Sequence, residues 1–455
     1  MSNILVIGDI MIDKYIYTNI AKIANESPIP VFSYNNEKNI LGGAGNVLEN
    51  MKLLRNNLFL ISVVGQDDNK SIVENLTNKF LTNLIVDSSR KTTVKTRIIS
   101  DNKILLRYDI ENTHSINSDI ENKIIYEFDK ILPVLDIVVF SDYNKGVLTE
   151  KICKYIIKKC NQNNKITIGD LKYNFKYYRN ITLTKPNFSE AKQFTKKDSV
   201  IEMHNTIIDE INCKYSIITL GKDGISLFDN TIICSNSTNI YKTSYESNEV
   251  IDVTGAGDIV TAVIGSFFNK IDIKLLLKLA TYLGTLSVKK IGTYEISHND
   301  ILSAYRWIKQ KEFSKEILYH IKNGHNKIVF TNGCFDVLHI GHLTYLEEAK
   351  KLGDILILGL NSDNSIKRLK GDKRPINNLN DRIIFLNKLD FIDFIIPFDE
   401  DTPLEIIKLI EPDILVKGGD YEIDSVIGRE FAKETIILPF VDGKSSTNII
   451  NKLKL

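Results

Sequence analysis

Apolar residues recur along this chain in short continuous runs, each closed by a polar or glycine-containing turn and followed by helical spacing. Ile4-Leu-Val-Ile7 ends in Gly8-Asp9, the pattern of a buried parallel strand. From about residue 119 the alternation is regular: helix over 119–132, strand 136–140, helix 149–159, strand 165–169 and strand 216–220. Helices are expected near 274–290 and 298–308. The rhythm restarts at strand 327–331, with a helix over 343–352 and strands at 355–360 and 413–416. Strands alternating with helices predict an α/β fold with parallel sheets. Two segments break the pattern. Pro28 and Pro30 force residues 26–31 into extended backbone, an edge strand or a lid. Residues 92–99 and 103–108 read as a β-hairpin carrying Arg97 and Arg107, with solvent-facing strand charge as the commoner reading of both.

Length and composition set limits. At 455 residues the chain has room for two or three domains. The periodicity divides it into 1–310, a charged and partly helical connector at 311–326, and 327–455. A 43% hydrophobic and 25% charged composition is that of a soluble globular protein, and a net charge of +1 points to no nucleic-acid or membrane partner. No apolar run approaches the ~18 residues that would span a bilayer. The N-terminus lacks a signal pattern, so a cytoplasmic location is expected. The five cysteines are scattered with no metal-ligand spacing, so reduced thiols and no structural metal are expected.

The candidate chemistry gathers at strand ends. Asp252-Val-Thr-Gly-Ala-Gly-Asp258 leads into an apolar helical run. Its glycines permit a tight turn, and the free amides of the helix start form an anion cradle. Asp258 at its edge is placed to accept a hydroxyl proton while the amides hold charge on a transferred phosphoryl group. Asp9 and Asp13 follow the first strand, either lining a ligand cleft or capping the next segment. Leu41-Gly-Gly-Ala-Gly-Asn46 lets a ligand approach the backbone at Gly42 and Gly43, with Asn46 near a hydroxyl. Asp170-Leu-Lys172 and Lys185-Pro-Asn187, with Glu190 three residues on, lie past later strands.

A second constellation follows strand 327–331. Asn332-Gly-Cys-Phe-Asp-Val-Leu-His-Ile-Gly-His342 places His339 and His342 on one face of a helix start, with Gly341 keeping that face open. Two imidazoles there can donate hydrogen bonds to phosphoryl oxygens during attack on an α-phosphate. Lys350, a basic loop at 367–374 and Lys417 offer positive charge for a triphosphate. Ser446 and Thr447 begin a last short helix, which they can cap or use to bind phosphate.

This string resembles the nucleotidyltransferases of the cytidylyltransferase-like superfamily, and Gly42-Gly43 with Gly255-Ala-Gly-Asp258 resembles the ribokinase-type carbohydrate kinases. In this order the two resemble the bifunctional family that couples heptose 7-phosphate kinase to heptose 1-phosphate adenylyltransferase. The likeness extends through Ser141-Asp-Tyr-Asn-Lys-Gly146, Pro186-Asn-Phe-Ser-Glu190, Arg368-Leu-Lys-Gly-Asp372 and Val416-Lys-Gly-Gly-Asp-Tyr421. It implies a ribokinase-like α/β domain with a small β lid, followed by a Rossmann-like nucleotidyltransferase domain. It implies Asp258 as kinase base, with Asn187, Phe188, Ser189, Glu190, Gly255, Ala256 and Gly257 around ATP. Asp13, Gly42, Gly43, Asn46 and Lys172 would hold the sugar. In the second domain His339 and His342 would be catalytic, with Asn332, Gly333, Phe335, Asp336, Gly341, Lys417, Ser446 and Thr447 around the nucleotide. The implied substrates are sugar phosphates and ATP at both sites, with Mg2+ carried by the nucleotide, and an exposed lid edge strand around Pro28–Val31 gives a homodimer paired through the lid as a further expectation. Three departures stand out. Asp170-Leu-Lys172 stands where Asp-Pro-Lys is usual. Ile259 replaces a usual Thr after the base, and Lys22-Ile-Ala-Asn-Glu26 replaces a usual Arg-Ile-Ser-Pro-Glu. Lys does not copy the planar fork of Arg.

Overall fold

The computed structural model describes the chain apart from residues 1, 55, 102, 232–239, 246–249, 290–291, 309–312, 420–421 and 440–455, and apart from the side chains of residues 20 and 21. It divides into two compact units, Met1–Ile296 and Ser297–Leu455. The expected α/β architecture is present in each.

In the first unit the buried strand Asn3–Gly8 lies inside a large sheet, between Ile137–Ser141 on one side and Asn57–Gly65 on the other. Beyond these come Leu81–Asp87 at one edge, and Ile166–Asp170, Leu183–Thr184 and Tyr215–Thr219 toward the other. These strands are parallel, and Ile225–Asp229 and Ile240–Thr243 extend the sheet antiparallel. The chain leaves Asn3–Gly8 toward one side and returns on the other, which opens a crevice at the carboxyl ends beside Ile137–Ser141. Ligands of open α/β sheets bind at such a reversal.

Helix Ala256–Phe267 has every residue from Asp258 to Phe267 buried. A helix apolar all round belongs in the core, and this one packs between Ala44–Lys52 and Ile273–Ser287. Gly265 permits the contact with the first of them, because a Cβ would lie 2.6 Å from Met51 Cε. Opposite, Phe128, Phe140, Ile152 and Tyr178 belong to a separate core cluster. The lid is a four-stranded sheet ordered Pro30–Gly43, Ile10–Ile23, Val94–Ser100, Lys103–Ile110. Residues 26–31 therefore lead into a lid strand, and the expected hairpin forms.

The second unit is a parallel sheet ordered Phe394–Phe398, Ile355–Asn361, Ile328–Gly333, Ile414–Gly418, Glu434–Leu438. Its reversal lies between Ile328–Gly333 and Ile414–Gly418. The connector region holds a helix, Lys315–Asn323, capped by Ser314 and packed on helix His298–Trp307. Both helices fall within the second unit. The basic stretch at 367–374 is not all loop. Lys367, Arg368 and Lys370 occupy the last turn of helix Asp363–Lys370, capped by Ser362. Cations are favoured there by the helix's unpaired carbonyls, so a charged run that looked like loop continues a helix. Among the described residues, no helix is long and apolar enough to cross a membrane.

Candidate active sites

Gly255 stands at φ 79°, a left-handed position natural to glycine, and its successor begins the core helix. Asp258 then falls in the first turn. It is 4% exposed, accepts a hydrogen bond from Asn46 Nδ2 at 2.7 Å and another from the Tyr143 hydroxyl. Burial pushes its carboxyl up to about 6, outweighing those two hydrogen bonds, which favour the ionised form. Tyr143 is aimed at this carboxylate by Asp9, which accepts from the amides of Tyr143 at 2.7 Å, Lys145 at 3.1 Å and Val147 at 3.3 Å. Asp9 is therefore neither a ligand-lining acid nor a helix cap. It organises the loop at the sheet's reversal.

Behind the glycine turn stands a cation. The space a Cβ on Gly257 would occupy is 3.7 Å from Lys185 Nζ. Lys185 is itself buried and paired with Asp170 at 3.0 Å, and Thr261 donates to the same carboxylate at 3.0 Å. Ile259 is fully buried in this helix, and Asp258 and the glycine turn stand intact beside it. Asn187 and Glu190 form a reciprocal capping box on helix Phe188–Thr195, with bonds of 2.7 and 2.9 Å. Phe188 and Ser189 are exposed at that helix start. Lys172 joins this segment to Tyr143. It donates to Glu190 at 2.8 Å and lies over the Tyr143 ring, 4.8 Å from its centroid. Burial works against its ammonium, but the Asp170 and Glu190 carboxylates outweigh it and raise the pKa.

On the lid side Asp13 is buried and meets Arg97 at 2.5 Å and Thr293 at 3.4 Å. Gly42 is required beside it, because a Cβ would sit 2.4 Å from Asp13 Oδ2. Gly43, at φ 57°, would clash with the Asp9 carbonyl at 2.4 Å. Arg97 corrects the solvent-facing reading. Its side chain is 4% exposed, because its strand turns this face inward. Arg107, one strand further out, is exposed and pairs with Asp109 at 2.6 Å.

In the second unit, the ends of Ile328–Gly333 and Ile414–Gly418 meet at the reversal through Lys417 Nζ, which donates to Asn332 Oδ1. Burial lowers the Lys417 ammonium to about 8. His339 precedes helix Ile340–Lys351 and His342 lies in its first turn, so their rings stack with centroids 3.8 Å apart. Burial lowers the His342 pKa to about 4, with the neighbouring His339 and Lys370 adding to it. His342 is therefore neutral at ordinary pH. Its Nδ1 is buried with no hydrogen-bond partner among the described residues. Phe335, at φ 45°, packs 5.2 Å from the His342 ring and against Gly333. Gly341 lies between the two imidazoles in the helix's first turn. Asp336 is drawn away from this group. It accepts from the amides of Ile376 at 2.8 Å and Asn377 at 2.9 Å and meets Arg374 at 2.7 Å. It thus shapes the neighbouring loop.

Lys350 belongs to neither site, because it bonds Asp393 at 2.6 Å and the Asp354 carbonyl, both just ahead of strands and so at the sheet's opposite end. Ser446 and Thr447 lie outside the described residues. Sequence reasoning passed over Tyr143 and Lys185, although both stand in quoted strand-end segments. It also passed over Arg382, which is 1% exposed and donates to the carbonyls of Cys334 at 2.7 Å, Asn361 at 2.7 Å and Asn377 at 3.1 Å and to Asp363 at 2.7 Å. It ties the loop after the first strand of this unit to the end of the next, and no local pattern marks it.

Residues 1–300 match the pfkB family carbohydrate kinases, and residues 330–452 match the cytidylyltransferase-like family. The bifunctional protein HldE of Helicobacter hepaticus is 40% identical over 99% of this chain and 96% of its own length. That of Campylobacter fetus is 40% identical over the whole of both. Among solved structures, phosphofructokinase-2 from Escherichia coli superposes with a TM-score of 0.56 at 16% identity, covering 68% of this chain and 99% of that one. A putative sugar kinase from Clostridium perfringens gives 0.51 at 21% identity, over 68% and 96%. These two likenesses are of fold.

Proposed function

We infer, for a chain that belongs to the pfkB family of carbohydrate kinases and is related along its whole length to the bifunctional proteins HldE, that it is a two-site transferase of ADP-heptose synthesis. The first site phosphorylates C1 of D-glycero-β-D-manno-heptose 7-phosphate to the 1,7-bisphosphate. The second transfers an adenylyl group from ATP to heptose 1-phosphate, releasing pyrophosphate. The observation that carries this reading is the pair of sites itself. A buried carboxylate faces an anion turn in one unit, and a stacked histidine pair lies beside a buried lysine in the other.

At the first site, Asp258 takes the proton of the C1 hydroxyl as that oxygen attacks the γ-phosphate of Mg-ATP. The turn amides from Gly255 to Gly257, with Lys185 behind them, hold the charge that accumulates on the phosphoryl oxygens. Asn46 and Tyr143 orient the carboxylate. Asp13, fixed by Arg97, receives the sugar's hydroxyls beside Gly42 and Gly43. At the second site, the sugar 1-phosphate attacks the α-phosphate. His339 and His342 donate N–H groups to that phosphate's oxygens, and Lys417 neutralises the triphosphate. Mg2+ arrives with the nucleotide as part of the substrate. The 7-phosphate must be removed between the two steps, so a separate phosphatase links them. Both substrates are cytoplasmic metabolites in this scheme, and we place the enzyme there.

Mass spectrometry of products from a panel of sugar phosphates, each with ATP or CTP, tests this reading. Heptose 1,7-bisphosphate from the 7-phosphate, and ADP-heptose from the 1-phosphate, are the products expected. CDP-sugar formation, or turnover of another sugar phosphate in preference, would overturn it. A homodimer through the lid completes the proposal. The lid strand Lys103–Ile110 exposes Leu106, Tyr108 and Ile110 on one side of a single-layer sheet, an apolar patch suited to a second copy. Light scattering of the full chain showing a monomer would exclude the dimer.

A further inference from the structure

The lid face that carries Asp13 holds more positive than negative charge. Cross-strand register places Asp13 and Tyr15 beside Lys95 and Arg97, and these beside Asp109 and Arg107. Side chains two apart along a strand share a face, so these six form one surface. Its charges pair off locally. Arg97 takes Asp13 and Arg107 takes Asp109. Lys145, from the loop that positions Tyr143, takes Glu111 at 2.7 Å. Lys95 has no carboxylate within ion-pair distance among the described residues. It is half-buried over the Tyr143 ring, 5.1 Å from the centroid. Burial lowers its pKa, and the nearby Arg107 and Lys145 lower it further, against the opposing pull of Asp13. An ammonium held in this way among other cations is unfavourable until an anion arrives.

We propose that Lys95, with Arg107 and Lys145 behind it, is the subsite that binds the phosphate borne by the acceptor sugar at the end remote from the hydroxyl being phosphorylated. The inference rests on the sugar-phosphate kinase reading above and assigns the residue that selects a phosphorylated acceptor. One tyrosine ring separates the ammonium from the base, because the Tyr143 hydroxyl bonds Asp258 while its face carries Lys95. A sugar with its reacting hydroxyl at Asp258 spans a comparable width and brings its far phosphate toward Lys95. In the reading above ATP's phosphates take other groups, the glycine turn and Lys185, whose Nζ lies 3.7 Å from where a Cβ on Gly257 would stand. Arg97 cannot serve in place of Lys95 without releasing Asp13.

The test compares full-length wild type, Lys95→Met and Lys95→Arg in the kinase reaction, with heptose 7-phosphate and with unphosphorylated heptose as acceptors. The quantity read is the ratio of kcat/KM for the two sugars. A charge-assisted phosphate contact predicts that Lys95→Met lowers this ratio about 10- to 100-fold, through KM for the sugar phosphate, while Lys95→Arg retains most of it. An unchanged ratio in Lys95→Met, with both sugars equally impaired, would show a structural role and overturn the proposal. So would a rise in KM for ATP in place of the sugar phosphate, which would assign Lys95 to the nucleotide. Wild-type enzyme that phosphorylates neither sugar would overturn the kinase reading and this proposal with it, a pattern distinct from the other two.

Discussion

The two sites occupy equivalent places, each at the carboxyl ends of the strands where a parallel sheet reverses direction, yet burial moves their key groups in opposite senses. In the first unit it lifts the Asp258 carboxyl to about 6, and in the second it lowers the His342 imidazole to about 4 and the Lys417 ammonium to about 8. Desolvation always disfavours the charged form, so one physical cause makes a stronger base of a carboxylate and a neutral donor of an imidazole. Proton abstraction needs the first of these. Holding phosphoryl oxygens through N–H groups needs only the second. The lesson is that a similar crevice takes its chemistry from the residue type placed in it.

The largest break in this comparison should come from removing each key group. Asp258→Asn is expected to lower kinase turnover ~10²–10⁴-fold and leave adenylyl transfer intact, while His342→Ala does the reverse. Separate assays of the folded variants check this, and loss of both activities from either single change would refute two independent sites. Next comes Arg382→Ala, which leaves three carbonyls, that of the buried Asn361 among them, without their donor. It should cost about 1–3 kcal/mol and abolish adenylyl transfer, with kinase activity surviving to higher urea in a denaturation series of the full chain.

The pH profiles sharpen the contrast. In the proposed reaction Asp258 must be ionised to act, so kinase kcat/KM should climb as pH rises through about 6 and then level off. Adenylyl transfer should be flat across that range, because His342 is already neutral above about 4. Its kcat/KM for ATP should fall instead as pH rises through about 8, where free Lys417 loses its charge. The smallest effect is expected from Tyr143→Phe. Losing a hydroxyl that bonds the ionised base raises the base's pKa, so the acid limb of the kinase should move up by roughly one pH unit. An unmoved limb would show that the hydroxyl does not govern the base.

Much of this was legible because the relevant signals are local. The strand ends, the glycine turn at 255–257 and the histidine spacing at 339–342 each follow from residues close in sequence. What escaped depends on tertiary placement. Strand period puts Lys95 and Arg97 on one face, but only the docked lid decides that this face turns inward. Arg382 lies in helix Leu379–Leu386, where a cation ordinarily faces solvent, and its carbonyl partners come from three other segments. Asp336 and Lys350 look like ligand groups in sequence, and each is claimed by a neighbouring loop or strand start instead.

Asp9 has one more implication. The lid's outgoing strand starts at Ile10, its returning strand ends at Gly43, and the Ala44 amide donates to the Asp9 carbonyl at 3.0 Å. The same residue's carboxylate holds the amides of the loop bearing Tyr143. Two of the lid strands are thus hung from one fulcrum, and that fulcrum also aims the tyrosine at the base. Any swing of the lid about this pivot would therefore be felt at the hydrogen bond that orients the Asp258 carboxylate.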